Sequence, residues 1–236
     1  MRLWKCLLLI TIFTSCQDDD PDQIVTDSTF QISTLEALLN GDYAGRLTFS
    51  ALKAHGDFGV GTFEAVNGEL IMLEGVAYRA TVDGLVSVAD PTDETPFAVV
   101  KHFVSDQDEI VGKIQSMEVL GAFIDTQLSS DENPYALLVD ATFDSLTIRS
   151  VPEQMTPYPP LADVVALQTV FTHTNITGSL VGFKFPEFAG ALNVAGYHFH
   201  FISDDRSVGG HVLGLKIKNG TLYIDKSSDL IVSLGQ

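Results

Sequence analysis

The chain has 236 residues, 45% of them hydrophobic, and its 13 Lys and Arg against 31 Asp and Glu give a formal net charge of −18. This length is enough to bury one large core or two small ones, and the composition excludes a largely disordered chain. The acidic balance excludes nucleic acid as a partner, because nucleic-acid binding depends on Lys and Arg that neutralise phosphates. It disfavours anionic membrane surfaces for the same reason.

The first residues form an export signal in our interpretation. Arg2 and Lys5 precede an apolar run that is too short to span a bilayer, and small residues lead up to Cys16. This pattern is typical of a bacterial lipoprotein signal over residues 1–16, with lipid attached to Cys16, followed by an acidic tether over residues 17–28. We therefore expect an exported protein on the periplasmic or cell-surface side, in contact with the membrane only through its lipid anchor. The alternative is a cleaved signal peptide with an incidental cysteine.

The remaining chain is predicted to be β-rich with a few short helices. Turn-forming pairs such as Asn67-Gly68 and Asp83-Gly84 separate short apolar runs from residue 59 to residue 89, which indicates an antiparallel meander. Helices are predicted at residues 34–39, 47–54, 97–103 and 161–171. Further strands are predicted at residues 111–123, 136–148, 178–185, 196–203, 208–217 and 221–224, the last two joined by a turn at Asn219-Gly220.

These elements indicate an α+β fold with two mixed or antiparallel sheets. We predict that the sheets meet near residue 150, which divides the chain into an N-terminal β-rich domain at residues 29–150 and a C-terminal β domain at residues 151–236.

Three of the six histidines fall in one predicted C-terminal hairpin. His198 and His200 are two residues apart on a strand, so their side chains project from the same face. A turn at residues 204–207 places His200 opposite His211, and residues paired directly across a hairpin also share a face. The three imidazoles are therefore expected to converge.

A converging set of three histidines predicts a metal site. Three imidazoles with a fourth position left open are typical of catalytic zinc, whereas structural zinc sites mostly use cysteine. Both cysteines, Cys6 and Cys16, precede the folded part. The alternative is a set of surface or core histidines that binds no metal. The other histidines lack this spacing and are expected to be ordinary polar residues: His55, His102 and His173.

The histidine hairpin is one of several motifs that occur in a fixed order along the chain. They include Phe30 to Thr34, Gly59 to Phe63, Gly68 to Ile71, Arg149 to Gln154, Pro157 to Leu161, Gly178 to Phe183, and Gly196 to Ile202 followed by Gly209 to Leu213. Together these motifs resemble those of the acetolactate decarboxylases, over roughly residues 30–225.

The resemblance implies a carboxy-lyase that converts 2-acetolactate to acetoin and carbon dioxide through an enediolate that one zinc ion stabilises. His198, His200 and His211 would hold the metal. By family similarity, Arg149 would bind the substrate carboxylate or help deliver a proton, and Glu69 would act on the substrate hydroxyl or in the proton relay. From the residues alone, Arg149 could instead belong to an ion-pair network, and Glu69 could be a solvated hairpin residue.

Two other functions stay open at this point. One is a lipid-anchored, non-catalytic protein that keeps the zinc hairpin and binds a small hydroxy-keto acid or a metal. The other is a different metal enzyme in which Asp204, four residues after His200, supplies a carboxylate ligand. A small 2-hydroxy-3-keto acid is the expected partner in the leading interpretation, and a homodimer is also left open.

Overall fold

The computed structural model describes residues 27–235. The predicted signal at residues 1–16, the lipidation site Cys16 and nearly all of the tether at residues 17–28 lie outside the described residues. None of the helices within residues 27–235 has the length and hydropathy that a membrane crossing requires.

The helices are short and the strands are of very unequal length. The helices are α1 (Leu35–Leu39), α2 (Phe49–Leu52), α3 (Met117–Asp125) and α4 (Leu161–Val165), with single 3-10 turns at Glu64–Val66 and Glu187–Ala189. The strands are β1 (Ser28–Ile32), β2 (Leu47–Thr48), β3 (Phe58–Thr62), β4 (Glu69–Leu73), β5 (Val76–Ala80), β6 (Val86–Val88), β7 (Glu94–Thr95), β8 (Ala98–Lys101), β9 (Gln107–Val111), β10 (Tyr135–Ser150), β11 (Thr169–Phe185), β12 (Gly196–Ser203), β13 (Gly209–Lys226) and β14 (Asp229–Ser233).

The strands form two large sheets and one small ribbon. The first sheet has seven strands in the order β14-β1-β8-β3-β4-β5-β6, and its pairs are antiparallel except for the parallel β1–β14 pair. The second sheet has the order β10-β11-β12-β13-β9 with an additional β10–β13 pairing, and β2 pairs with β7. The fold is therefore β-rich α+β with mixed and antiparallel sheets, as the sequence predicts.

The two sheets pack face to face, and their alternating side chains explain the layers. In β4, Ile71 and Leu73 belong to the core between the sheets, whereas Leu70 and Met72 face the opposite way, toward the layer that contains α2. In β12, Phe199 and Phe201 face the layer that contains α3. A strand presents alternate residues to opposite faces. Glu69 of β4 and the histidines of β12 consequently point into the space between the two sheets.

The domain boundary near residue 150 remains a prediction. The strand that ends at Ser150 belongs to the second sheet, which already begins at Gln107, and the C-terminal strand β14 returns to the first sheet beside β1.

Several element predictions need correction. Residues 97–103 are not a helix: β8 lies between β1 and β3, and all four of its residues are buried, a position that suits Val99 and Val100. Residues 117–125 are a helix rather than a strand, and the Ser116 side chain caps it by accepting a hydrogen bond from the Val119 amide.

The predicted ends of two later elements are also wrong. The helix α4 stops at Val165, because the β-branched and aromatic residues from Thr169 onward continue as β11. The expected turn at Asn219-Gly220 is absent from β13, which runs on through these residues. A β-bulge takes up Lys218 there, since Asn219 pairs with Thr142 and Ile217 pairs with Phe143.

Candidate metal centre

The hairpin of β12 and β13 brings the three predicted histidines together. His200 pairs directly with His211, which confirms the expected register. The imidazole ring centroids lie 5.0 Å apart for His198 and His200, 5.0 Å apart for His198 and His211, and 5.3 Å apart for His200 and His211. All three rings therefore surround one small volume between the sheets.

The imidazole nitrogens have the spacing of ligands to a single cation. One nitrogen from each ring lies within 4.8 Å of the others, so this cluster can hold a metal ion. Nε2 of His198 is 3.2 Å from Nδ1 of His211. Two nitrogens bound to one tetrahedral zinc at the usual bond length of about 2.05 Å would be about 3.3 Å apart, so the arrangement needs little adjustment to accept such an ion.

The tautomer of His200 is set by the first sheet. Its Nδ1 lies 2.7 Å from the carbonyl oxygen of Leu70, which can only accept, so Nδ1 carries the proton. The buried Nε2 then has a free lone pair, and within residues 27–235 it has no hydrogen-bond partner. Metal-binding histidines commonly donate their second ring nitrogen to a backbone carbonyl in this way. This unpartnered nitrogen shows that the residues present fit a metal.

Burial keeps the histidines neutral, which is the form that binds metal. The pKa of His198 is lowered to about 4, first by burial and then by the charge of Arg149. Burial lowers the pKa of His200 and His211 well below the ordinary value, and the neighbouring charges act in the same direction. The imidazole nitrogens therefore need not lose protons at neutral pH before they bind a cation.

Glu69 and Arg149 form an ion pair beside the histidines. Nη1 of Arg149 donates to Oε1 of Glu69 at 2.9 Å, and Oε2 of Glu69 lies 3.5 Å from Nε2 of His200. Glu69 is buried, so it is not a solvated hairpin residue. Burial raises the pKa of Glu69 to about 7, although the nearby charge of Arg149 lowers it. A carboxylate and an imidazole lone pair that face each other at this distance favour a cation between them.

The strand register explains how Arg149 reaches this place. Arg149 of β10 pairs with His211 of β13, and its neighbours Leu146 and Ile148 belong to the core on the far side of the sheet. Gly210 has φ of +156° and leaves room for the Arg149 carbonyl, which would lie 2.7 Å from a Cβ at that position. The glycine thus allows β10 to approach the histidine strand closely.

The cavity at the histidines is small and largely apolar. Its volume is about 100 Å³, and three histidines, Glu69, Arg149 and Thr62 supply its polar side chains. Its other side chains are Leu35, Leu38, Val66, Phe97, Val151, Leu161 and Val194. The motif analysis missed this apolar wall, since its residues come from several separate segments and none differs locally from an ordinary core position. A larger cleft of about 900 Å³ lies beside Ala65 and Asn67 and contains none of the histidines.

The remaining predicted polar residues lie elsewhere. Asp204 is exposed at the hairpin tip. Within the described residues, the group of side chains that could hold a metal ion consists of the three histidines and does not include Asp204. His55 stacks on Phe30 with ring centroids 3.8 Å apart, and His173 lies on β11 opposite Leu146. The structure therefore does not place a carboxylate from Asp204 at the site.

Comparison with known proteins gives one consistent family. The family model described as alpha-acetolactate decarboxylase matches residues 29–236. The alpha-acetolactate decarboxylase of Methanosarcina mazei is 43% identical over 209 residues, which cover 89% of this chain and 73% of that protein. The enzyme of the same name from Klebsiella aerogenes is 38% identical over 91% of this chain and 81% of its own length.

A solved structure agrees with the sequence comparison. The crystal structure of alpha-acetolactate decarboxylase from Bacillus subtilis superposes with a TM-score of 0.86 at 33% identity, and the match covers 89% of each chain. The sequence and the three-dimensional comparison thus point to the same group of proteins.

Proposed function

This chain belongs to the alpha-acetolactate decarboxylase family of carboxy-lyases, and we propose that it converts 2-acetolactate to acetoin and carbon dioxide at a zinc site held by His198, His200 and His211. The observation that carries the metal assignment is the buried Nε2 of His200, which has a lone pair and no hydrogen-bond partner within residues 27–235. Zinc is the default ion for three neutral imidazoles with an open fourth position.

The reaction breaks one carbon–carbon bond and forms one carbon–hydrogen bond. The bond between the carboxylate and the hydroxyl-bearing carbon breaks, carbon dioxide leaves, and the electron pair moves toward the neighbouring ketone. A proton then adds to the carbon that lost the carboxylate, which gives acetoin. A bound divalent cation supplies Lewis-acid stabilisation of the negative charge that develops on the ketone oxygen.

The chain's own residues provide the substrate contacts and the proton path. Arg149 offers a fixed positive charge and a forked set of donors that suit a carboxylate. Its location next to the histidines lets it orient the carboxylate away from the apolar wall. Glu69, with a pKa near neutrality, can accept the substrate hydroxyl proton or return a proton to carbon. The apolar side chains exclude water, which strengthens these electrostatic contacts.

A direct assay tests this function. The full chain is loaded with zinc, its metal content is measured by mass spectrometry, and racemic 2-acetolactate is added while acetoin and carbon dioxide are followed. We expect turnover that is lost in Arg149→Ala and reduced in Glu69→Gln, while His173→Ala serves as the matched histidine control. Metal binding and calorimetric binding of acetolactate without any turnover would instead support the non-catalytic binding protein.

We also propose that the protein is exported and anchored through lipid on Cys16. The support is the order of basic, apolar and small residues before this cysteine. Expression of the full chain with radiolabelled palmitate should label the protein in the membrane fraction. The Cys16→Ala variant should lose the label and leave that fraction, and an unlabelled wild-type chain would exclude the anchor.

A further inference from the structure

The end of β10 carries a buried polar side chain that the proposed reaction does not use. Ser150 follows Arg149 directly and is fully buried, at 0% exposure. It does not line the histidine cavity, and successive residues of a strand face opposite ways, so Ser150 does not share the face from which Arg149 reaches the site. Any contribution of Ser150 to the reaction therefore passes through other residues.

The Ser150 hydroxyl crosses from the second sheet to the first. Its Oγ donates to the carbonyl oxygen of Ala80 at 2.9 Å. Ala80 is the last residue of β5 and pairs directly with Glu69 of β4. The hydrogen bond thus joins the residue after Arg149 to the strand partner of Glu69, beside the ion pair that Arg149 and Glu69 form at 2.9 Å.

The carbonyl that accepts this hydrogen bond also packs against the residue before Glu69. Gly68 has φ of +97°, and a Cβ at that position would lie 2.8 Å from the Ala80 carbonyl oxygen. The Gly68 carbonyl in turn accepts a hydrogen bond from Oγ1 of Thr62 at 2.8 Å. The position of the Ala80 carbonyl is therefore tied to the position of the backbone that carries Glu69.

The segment after Ser150 supports the turn that leads into Glu69. The backbone amide of Gln154 donates to the Ala65 carbonyl at 2.9 Å. Ala65 and Val66 have φ of +59° and +49°, a left-handed conformation that is uncommon for residues with a side chain and persists where the surroundings fix it. Residues 149–154 thus bond to the Glu69 hairpin and its neighbouring strand through the ion pair, the Ser150 hydroxyl and the Gln154 amide.

From these contacts we infer that Ser150 is a positioning residue that sets the placement of the Arg149 guanidinium against the Glu69 carboxylate. Without its hydroxyl, the buried Ala80 carbonyl loses a partner and the two sheets lose a fixed point next to the ion pair. The effect on catalysis rests on the proposed decarboxylation. A displacement of catalytic groups by about 1 Å can lower a rate by about 100-fold.

The test measures the kinetics of Ser150→Ala with 2-acetolactate. We expect kcat to fall by about 10-fold or more, while KM changes by less than about 2-fold because the loss is greater in the transition state than in the bound substrate. The zinc content should be unchanged. Ser150→Cys keeps the size of the side chain and a weak donor, and it serves with the same expected direction if the alanine variant does not fold.

A second measurement does not depend on turnover. In the zinc-free protein, at a pH at which Glu69 is ionised, the decrease in unfolding free energy caused by Ser150→Ala should be smaller by about half or more in the Glu69→Gln background. The reason is that part of the decrease comes from the weakened ion pair, and groups that share a network are not additive.

The control removes another buried hydroxyl far from the histidines. Ser227 follows the far end of β13, is fully buried, and its Oγ lies 2.7 Å from Oγ1 of Thr29. Ser227→Ala should lower stability and leave kcat and KM unchanged.

Two results would overturn the positioning role of Ser150. One is a kcat of Ser150→Ala equal to that of the wild type, and the other is a pair of strictly additive effects of Ser150→Ala and Glu69→Gln on unfolding. A wild-type protein without turnover would instead overturn the proposed decarboxylation, and the unfolding measurement would still decide whether Ser150 sets the ion pair.

Discussion

Replacing Arg149 by methionine tests the ion pair at the centre of the cavity. Arg149 and Glu69 are joined at 2.9 Å, and their side chains retain only 14% and 7% exposure. Removing one partner of a buried pair costs about 3–5 kcal/mol when the remaining charge stays buried without compensation. Because burial raises the pKa of Glu69 to about 7, the measurement is made at a pH well above 7, where this carboxyl is ionised. Since Arg149 keeps some contact with solvent, we expect the lower end, about 3 kcal/mol. For a chain of this size that corresponds to a Tm decrease of about 6–12 °C.

A double-mutant cycle on the metal-free protein measures this coupling. Free energies of unfolding are determined by equilibrium denaturation for the wild type, Arg149→Met, Glu69→Gln and the double variant. The loss from Arg149→Met should be much smaller in the Glu69→Gln background, because no charge is then left unpaired, and residues in direct contact couple by about 0.5–3 kcal/mol. An equal loss in both backgrounds, or a Tm decrease below about 2 °C, would refute the reasoning.

Three further predictions concern the metal, the approach of the strands and a second buried ion pair. Alanine at any one of the three ligand histidines should remove the rise in Tm that zinc produces, measured by differential scanning fluorimetry with and without a chelator, whereas His173→Ala should retain it. In Gly210→Ala the new Cβ would lie 2.7 Å from the Arg149 carbonyl oxygen. We therefore expect zinc affinity to fall by about 10- to 100-fold, as it does for changes next to metal ligands. Unchanged affinity in a chelator competition would contradict this close approach of the two strands. Fully buried Lys101 lies 3.2 Å from the buried Asp225 carboxylate, so Lys101→Met should lower the free energy of unfolding, measured by chemical denaturation, by about 3 kcal/mol. A decrease below about 1 kcal/mol would show that the pair contributes little.

Local patterns were sufficient for elements whose neighbours lie close in sequence. The hairpin turn at Asp83-Gly84, the short helix that begins after Thr34 and the register of His200 with His211 all follow from residue types within a short stretch. The class of fold follows as well, because alternating apolar runs predict sheets in any order.

Local patterns failed where long-range pairing decided the outcome. The run at β8 forms a strand because it is inserted between β1 and β3, and nothing within residues 97–103 specifies those neighbours. Asn219-Gly220 does not turn, because the long strand β10 continues to pair with β13 on both sides of this dipeptide. Tertiary contacts override local propensity in such segments.

The sequence by itself determined which groups are available for chemistry: three histidines with strand spacing, no cysteine within the folded part, and one Arg and one Glu in motifs that resemble those of acetolactate decarboxylases. Only the tertiary structure decided how these groups act. The packing of the two sheets buries Glu69 against Arg149, orients His200 through the Leu70 carbonyl and closes the cavity with side chains from distant segments. The physical reason is that burial and orientation depend on contacts between residues far apart in sequence, which a local pattern does not contain.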